Sequence, residues 1–381
     1  MRVLVDVSAV PHDPVGAGRY TVELVAALSR TGAVDLSLLA RRDDHQRWTE
    51  LVPSAQVHAD APTNRPARLV WEQTRAPRLA AELDLDVWHG PHYTLPLHTN
   101  VPRVVTVHDL TFFDHPEWHE RTKVAYFRRV VPAAVRDAHA IIAVSAFTAA
   151  GVRRRFDPAA PVYVAPHGVD HDRFRTDPAP DESAQLRALG VRPPYLAFVG
   201  LIEPRKDVPA LVAAFARITA DRPNLRLVLA GGDGWGARAV RDAVAASGVA
   251  SRILRPGYIP ADAVPVLLRN AEVVAYPSLT EGFGLPALEA LACGAALVST
   301  SGSAVEEVVG DAALLVAPGD IDALTSALDW LLSDPHARID LGLRGPARAR
   351  GYTWDASAAI HLEAYRHAAG RRADSHASGS T

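Results

Sequence analysis

The sequence predicts an α/β protein made of two doubly wound domains facing across a cleft. Three observations carry this reading. The chain has 381 residues, and at about 100–200 residues per domain two domains are the natural division. Hydrophobic residues make up 48% and charged residues 22%, the balance of a globular protein with a substantial core. Short β-branched runs alternate with helical stretches, and the alternation occurs twice; such a pattern produces parallel sheets covered on both faces.

In order, "RVLVDVSA" (2–9) reads as a buried strand and "VPHDPVGAGR" as a loop. "AGRYTVELVAALSRTG" is a helix, with Tyr20, Leu24, Ala27 and Leu28 on one face and Gly32 as its stop. "VDLSLLA" is a second strand, and "ARLVWEQTRAPRLAAEL" a helix interrupted near Pro77. "DVWHG", "RVVTVHDL", "HAIIAVS" and "PVYVAPHGVD" are strands ending in polar loops, with helices at "TKVAYFRRVVPAAVRDA" and "AFTAAGVRRRF". The Pro- and Asp-rich stretch 171–185 lacks periodicity and is expected to link a first domain, 1–175, to a second, 186–354. There the strands are "YLAFVG", "LRLVLAGG", "SRILRPG", "EVVAYPS", "AALVST" and "AALLVAP", with helices such as "DVPALVAAFARITADR" and "DIDALTSALDWLLSD" between them. Residues 370–381 are small and polar, and are expected to form a disordered tail.

Several function classes recede at once. The net charge of -3 gives no footprint for nucleic acid. With one cysteine, Cys293, neither a disulfide framework nor a cysteine metal cage can form. No signal peptide or apolar run of ~18 residues is visible, so a cytoplasmic protein is expected.

In open α/β sheets ligands bind beyond the carboxyl ends of the strands. The loops at those ends include "HDPVGAGR", "HDLTFF", "APHGVD", "GLIEPRKD", "GGDGWG" and "PSLTEGFG". The most informative is "SLTEGFGLPALEALACG", where Glu281 and Glu289 stand with seven residues between them. Pro286 suits a first helical turn and Gly294 a helix end. Gly282 and Gly284 let the backbone approach a ligand, flanking Phe283 and leading into Leu285, and the amides at the helix start suit an anion. The bland reading of Glu289 is a carboxylate complementing the helix dipole. The sharper one is a ligand carrying both an anion and hydroxyls: amides take phosphate, carboxylates take sugar and ribose hydroxyls. A nucleotide-sugar has that distribution. Arg205 and Lys206, directly after the strand "YLAFVG", then supply a diphosphate clamp that neutralises the leaving nucleoside diphosphate.

These motifs, with "HDPVGAGRY" and "VTVHD", resemble the retaining nucleotide-sugar glycosyltransferases of family 4. The resemblance spans the chain from the first strand to the last long helix. It implies the GT-B architecture of two Rossmann-like domains, with the helix at about 355–369 crossing back to complete the first. It also implies metal-independent transfer with retained anomeric configuration, no cofactor, and the nucleotide-sugar as substrate. Glu281 then lies near the donor sugar, Glu289 on the nucleotide ribose, and Arg205 and Lys206 on the diphosphate. Many members place an arginine directly after the strand-end glycine; here Leu201 follows Gly200, so Arg205 takes that role. Gly16 and Gly18 begin a dinucleotide-like pattern, but Thr21 stands at its third glycine. The resemblance makes this loop a cover for the donor diphosphate. His108 is expected to reach the donor sugar, with Asp109 orienting its imidazole. Ser145 reads as a helix cap, and His167 as either a cleft or a core residue.

The pairs Asp84/Asp86, Asp170/Asp172 and Asp320/Asp322 are read as structural, not as a divalent-ion site. Arg121, Lys123, Arg128, Arg129 and Arg153 to Arg155 are either solvated faces or a peripheral contact with anionic lipid. The resulting expectation is a hexosyltransferase. Its donor is a nucleoside diphosphate sugar, with GDP-mannose favoured by the likeness of "GAGRY" and "EPRKD" to mannosyltransferases. Its acceptor is a hydroxyl on a saccharide or lipid-linked glycan. The rivals are a glycoside hydrolase using the two glutamates, a nucleotide-sugar epimerase, and a silent nucleotide-sugar binder.

Overall fold

The computed structural model describes residues 1–377, with side chains through 370. The chain forms two compact units: residues 1–168 with 353–381, and residues 169–352. Seven strands build the first sheet: β1 (Arg2–Asp6), β2 (Asp35–Arg41), β3 (Gln56–Ala61), β4 (Val87–Gly90), β5 (Arg103–Val107), β6 (Ala140–Ala143) and β7 (Val162–Val164). They pair in parallel in the order β3-β2-β1-β4-β5-β6-β7. Six strands build the second: β8 (Tyr195–Val199), β9 (Arg226–Ala230), β10 (Ile253–Gly257), β11 (Val273–Tyr276), β12 (Leu297–Thr300) and β13 (Leu314–Val316). Their order is β10-β9-β8-β11-β12-β13, also parallel.

Strand order reverses direction between β1 and β4 in one sheet and between β8 and β11 in the other. At such a point neighbouring connections leave in opposite directions and open a crevice beyond the strand ends. The strands that flank these points are apolar on both faces: Val3, Leu4 and Val5 of β1 and Val273, Val274 and Ala275 of β11 lie within the core. Two-sided burial is why they read as continuous apolar runs and not as alternating ones.

The helix Trp354–Ala377 belongs to the first unit. Trp354, Ala358, Leu362, Tyr365 and Ala368 recur at helical spacing and join a core with Val3, Val5, Leu24 and Leu28. The helix runs eight residues into the stretch expected as a tail (370–377), and residues 378–381 lie outside the described residues. The expected linker also differs. Residues 171–185 lie inside the second unit, which begins at Val169. There Asp170 accepts backbone hydrogen bonds from Asp172 and Arg173 at 3.1 Å each. Glu182 accepts hydrogen bonds from Ala179 N, Arg269 and Asn270. Polar residues in this segment are therefore anchors, although their composition resembles that of a linker.

Candidate functional site

In the second unit the predicted clamp stands at the switch point. Arg205 and Lys206 occupy a 3-10 turn, Pro204–Lys206, beyond the carboxyl end of β8. Glu281 follows the carboxyl end of β11. The turn is seated on the "GGDGWG" loop by close backbone packing. A Cβ on Gly231 would stand 1.9 Å from Gly200 O, and one on Gly234 2.6 Å from Ile202 O. Hydrogen bonds from Ile202 N to Gly232 O (3.0 Å) and from Gly236 N to Ile202 O (3.2 Å) fasten the two loops. The glycines are thus required by the approach of one backbone to another. Leu279 N donates to Arg205 O at 2.7 Å, which ties the clamp turn to the loop that carries Glu281.

The side chains converge on one carboxylate. Lys206 Nζ donates to Glu281 Oε1 at 2.5 Å, Arg205 Nη1 donates to Glu281 Oε2, and Tyr276 OH donates to Glu281 Oε1 at 2.9 Å. Arg205 also donates from Nε to Glu203 Oε2 at 2.8 Å. Lys206 is 5% exposed and Glu281 6%. Burial pushes the Glu281 carboxyl up, but Arg205 and Lys206 outweigh it and hold it down at about 2. Burial and the Arg205 charge lower Lys206, while Glu281 opposes them. The two side chains form a buried, hydrogen-bonded pair.

Sequence reasoning assigned the cations to phosphate and the carboxylate to hydroxyls, as separate contacts. The structure joins them: both oxygens of Glu281 hold the clamp. Formal charges of Arg205, Lys206, Glu203 and Glu281 sum to zero, so the carboxylates fix the cations in place. Two participants were not foreseen. Tyr276 was visible only as the end of "EVVAY", and its ring lies 4.5 Å from Lys206 Nζ. Glu203, within "GLIEPRKD", carries no sequence mark that sets it apart from a surface carboxylate.

Gly282, Phe283, Gly284, Leu285 and Glu289 follow on a single loop and helix, Leu285–Ala292, with Pro286 in its first turn. Gly284 has φ +98°, and a Cβ there would lie 2.6 Å from Val305 Cγ2. Glu289 is buried at 3% exposure, as are its helix neighbours Leu288 and Leu291, which is more enclosure than a carboxylate serving only the helix dipole needs.

In the first unit, Gly16 precedes the helix Ala17–Thr31 with φ +50°. Gly18 is buried, and a Cβ on it would meet Pro14 at 3.2 Å and Pro11 at 3.3 Å. His108 follows β5 and is 8% exposed. Its Nε2–H donates to Pro91 O at 2.8 Å; burial lowers its pKa against the pull of that carbonyl. This corrects the expected partner: Asp109 instead accepts from Thr111 N at 3.0 Å and Thr111 Oγ1 at 2.6 Å, closing a local turn. Tyr20 joins the pieces: its N–H donates to Gly16 O at 3.0 Å, and its ring meets His108 edge-on at 4.9 Å. Ser145 caps its helix by accepting from Thr148 N at 3.0 Å. His167 stacks between Tyr20 and Trp354. The aspartate pairs have structural partners: Asp86 binds Arg2 N, Asp170 closes its own turn, and Asp320 caps Ala323.

A pair of cations at one switch point, and in the other unit a glycine loop after β1 with a histidine after β5, agree with what comparison finds. The model for Glycosyltransferase Family 4 matches residues 14–173, and that for Glycosyl transferases group 1 matches residues 181–348. O-antigen chain mannosyltransferase B of Escherichia coli is 28% identical over 387 residues, covering 96% of this chain and 100% of that protein. The GDP-mannose-dependent alpha-(1-6)-phosphatidylinositol monomannoside mannosyltransferase of Mycolicibacterium smegmatis is 30% identical over 285 residues, covering 71% and 74%. Among solved structures, sucrose-phosphate synthase from Thermosynechococcus elongatus superposes with a TM-score of 0.78 at 22% identity, covering 96% of this chain and 98% of that one. Two Rossmann-like units, both family models in register with them, and relatives spanning most of the chain lead to one conclusion: this protein belongs to the group 1 glycosyltransferases of GT-B architecture.

Proposed function

We propose that the protein transfers mannose from GDP-mannose to a hydroxyl of a saccharide or lipid-linked glycan, as a family 4 type enzyme, with retained configuration and without a metal ion. The observation that carries the donor class is the pair Arg205 and Lys206 held on Glu281 at the β8/β11 switch point. A diphosphate arriving there meets a guanidinium and an ammonium already oriented by Glu203 and Glu281. Support for mannose comes from the two relatives named as mannosyltransferases, one of them GDP-mannose-dependent.

In the proposed step the bond from the sugar's anomeric carbon to the phosphate oxygen breaks, and a bond to the acceptor oxygen forms on the same face. The acceptor's proton passes to the departing phosphate oxygen. Arg205 and Lys206 stabilise the charge that grows on that phosphate. His108, with Nε2–H committed to Pro91 O, offers Nδ1 as an acceptor for a donor hydroxyl. Gly16 and Gly18 let the loop before the helix Ala17–Thr31 approach the diphosphate, and Glu289 takes a ribose hydroxyl. The first unit presents the acceptor and the second binds the donor.

Thermal-shift measurements with GDP, UDP and dTDP and their sugars test the donor. The expected result is the largest stabilisation by GDP and GDP-mannose; a response to UDP-sugars alone overturns mannose, and no response to any overturns the clamp. A peripheral membrane contact through Arg121, Arg129 and Arg154 belongs to the same proposal; Lys123, also expected there, pairs with Glu120 at 3.1 Å. No helix among the described residues is long and apolar enough to cross a membrane. Arg128 and Arg153 spend their guanidinium groups on backbone carbonyls, and Arg155 pairs with Asp114. Equal binding to anionic and neutral vesicles ends this part of the proposal.

A further inference from the structure

Five buried polar side chains of the first unit form one continuous hydrogen-bonded chain, and a single carbonyl sets its direction. His361 Nδ1 lies 2.7 Å from Ser357 O, which can only accept, so Nδ1 carries the hydrogen. Burial lowers the His361 pKa to about 4, and the ring is neutral at pH 7. Its Nε2 is then a bare acceptor, and Tyr20 OH donates to it at 2.7 Å. Having given its proton, the Tyr20 oxygen accepts from Thr106 Oγ1 at 2.9 Å. The Thr106 oxygen in turn accepts from His89 Nε2–H at 2.8 Å. That fixes the tautomer of His89, whose Nδ1 accepts from Tyr365 OH at 2.7 Å. Tyr365, His89, Thr106, Tyr20 and His361 are each 0% exposed. Reversing any one link would leave a buried group facing another of its own kind, so the whole chain has one arrangement.

The chain passes through the ring that touches the candidate site. Tyr20 stands edge-on to His108, with centroids 4.9 Å apart and planes at 83°. It stacks on His167 at 4.9 Å on another side. His108 is pinned at Nε2 by Pro91 O, and of the rings that enclose it, Tyr93 at 5.5 Å, His167 at 6.0 Å and His92 at 6.1 Å, Tyr20 stands nearest. Both tethers of the Tyr20 hydroxyl come from elsewhere: Thr106 on β5 and His361 on the helix Trp354–Ala377.

We propose that Tyr20 is a positioning residue for His108, held in place by the hydrogen-bonded chain that runs from Tyr365 to Ser357, so that the helix Trp354–Ala377 sets the orientation of His108. The inference rests on the transferase reading for its consequence in turnover, though not for its geometry. Tyr20→Phe keeps the ring and deletes both tethers. His361→Leu deletes the acceptor from the far helix. His361→Gln restores it, since its amide can accept from Tyr20 and donate to Ser357 O.

Two readouts on the full chain test this. The first is nitrogen-detected NMR of the histidine rings without ligand. Wild type is expected to show His361 protonated on Nδ1 and His89 and His108 on Nε2. The His108 signals should move in Tyr20→Phe and His361→Leu and return in His361→Gln. Unmoved His108 signals in both lesion variants, each folded by circular dichroism, overturn the proposal, as does the opposite tautomer of His361. The second readout is turnover of GDP-mannose. The two lesion variants should lose about tenfold in kcat with KM within about twofold, and His361→Gln should recover to within about threefold of wild type. Equal losses in all three variants, or a change confined to KM, count against positioning. If wild type turns over no nucleotide-sugar, the transferase reading falls, and the NMR arm still decides the role of Tyr20.

Discussion

His361 gives the first unit a calculable weakness to acid. It is fully buried, and burial lowers its pKa from 6.5 to about 4. A base whose folded pKa is depressed binds fewer protons folded than unfolded at intermediate pH. Stability therefore rises with pH between about 4 and 6.5 and falls as the solution is acidified through that window. At pH 5 the unfolded ring is almost wholly protonated and the folded ring almost wholly neutral. Lowering the pH from 7 to 5 then removes about 1.8 kcal/mol through this one residue. His89 and His167, also lowered by burial, act in the same direction. His361→Gln keeps the hydrogen bonds and removes the titration. The assay is urea denaturation of wild type and His361→Gln at pH 7 and pH 5, followed by tryptophan fluorescence; Trp354 lies beside His167 and reports on this core. The variant should lose about 1.8 kcal/mol less than wild type across that interval. An identical loss in the two proteins would refute the reasoning, because it would mean that His361 is protonated as easily folded as unfolded.

Three further outcomes follow from the second unit. Lys206→Ala should weaken GDP binding at least about tenfold by calorimetry, since the buried ammonium is the point charge of the clamp; unchanged affinity would remove Lys206 from the site. Glu281→Gln keeps the shape but leaves Lys206 without its buried carboxylate, and should cost about 3 kcal/mol in denaturant stability; an unaltered midpoint would mean that the pair contributes nothing. Gly231→Ala places a Cβ 1.9 Å from Gly200 O, whereas Gly248→Ala, at φ +73°, meets nothing within 4 Å. The first should destabilise by several kcal/mol and impair GDP binding, and the second should cost about 1 kcal/mol with binding intact. Equal effects would show that the loop contact is not what holds the clamp turn.

The central strands were legible because both their faces are buried and their sequences carry apolar runs without interruption. The edge strand β3 was not: Gln56 and Asp60 are exposed and His58 is half-buried, all three polar, so no apolar run marks it. The stretch 171–185 misled for the opposite reason. Its prolines and aspartates resemble a linker, but several of its polar groups are fixed by partners such as Arg269, 87 residues away from Glu182. Likewise "GRRADSHA" offers no apolar stripe, yet it continues a helix already anchored at Trp354, Leu362 and Tyr365.

At the candidate site, residue types and spacing indicated which side chains carry charge near a strand end. They could not indicate that Glu281 binds both Arg205 and Lys206, because the cations and the carboxylate are more than seventy residues apart in sequence. The orientation of His108 was missed for a different reason. Its partner is a backbone carbonyl, Pro91 O, and a carbonyl leaves no mark on residue identity.

The membership of Trp354–Ala377 in the first unit has a consequence for synthesis on the ribosome. Val3, Leu24 and Leu28 share a core with Trp354, Leu362 and Tyr365, and the 184 intervening residues (169–352) build a different body. At about 5–20 residues per second, that core waits on the order of 10–40 s for its last wall. The amino-terminal unit, although translated earlier, is therefore the one that finishes folding later.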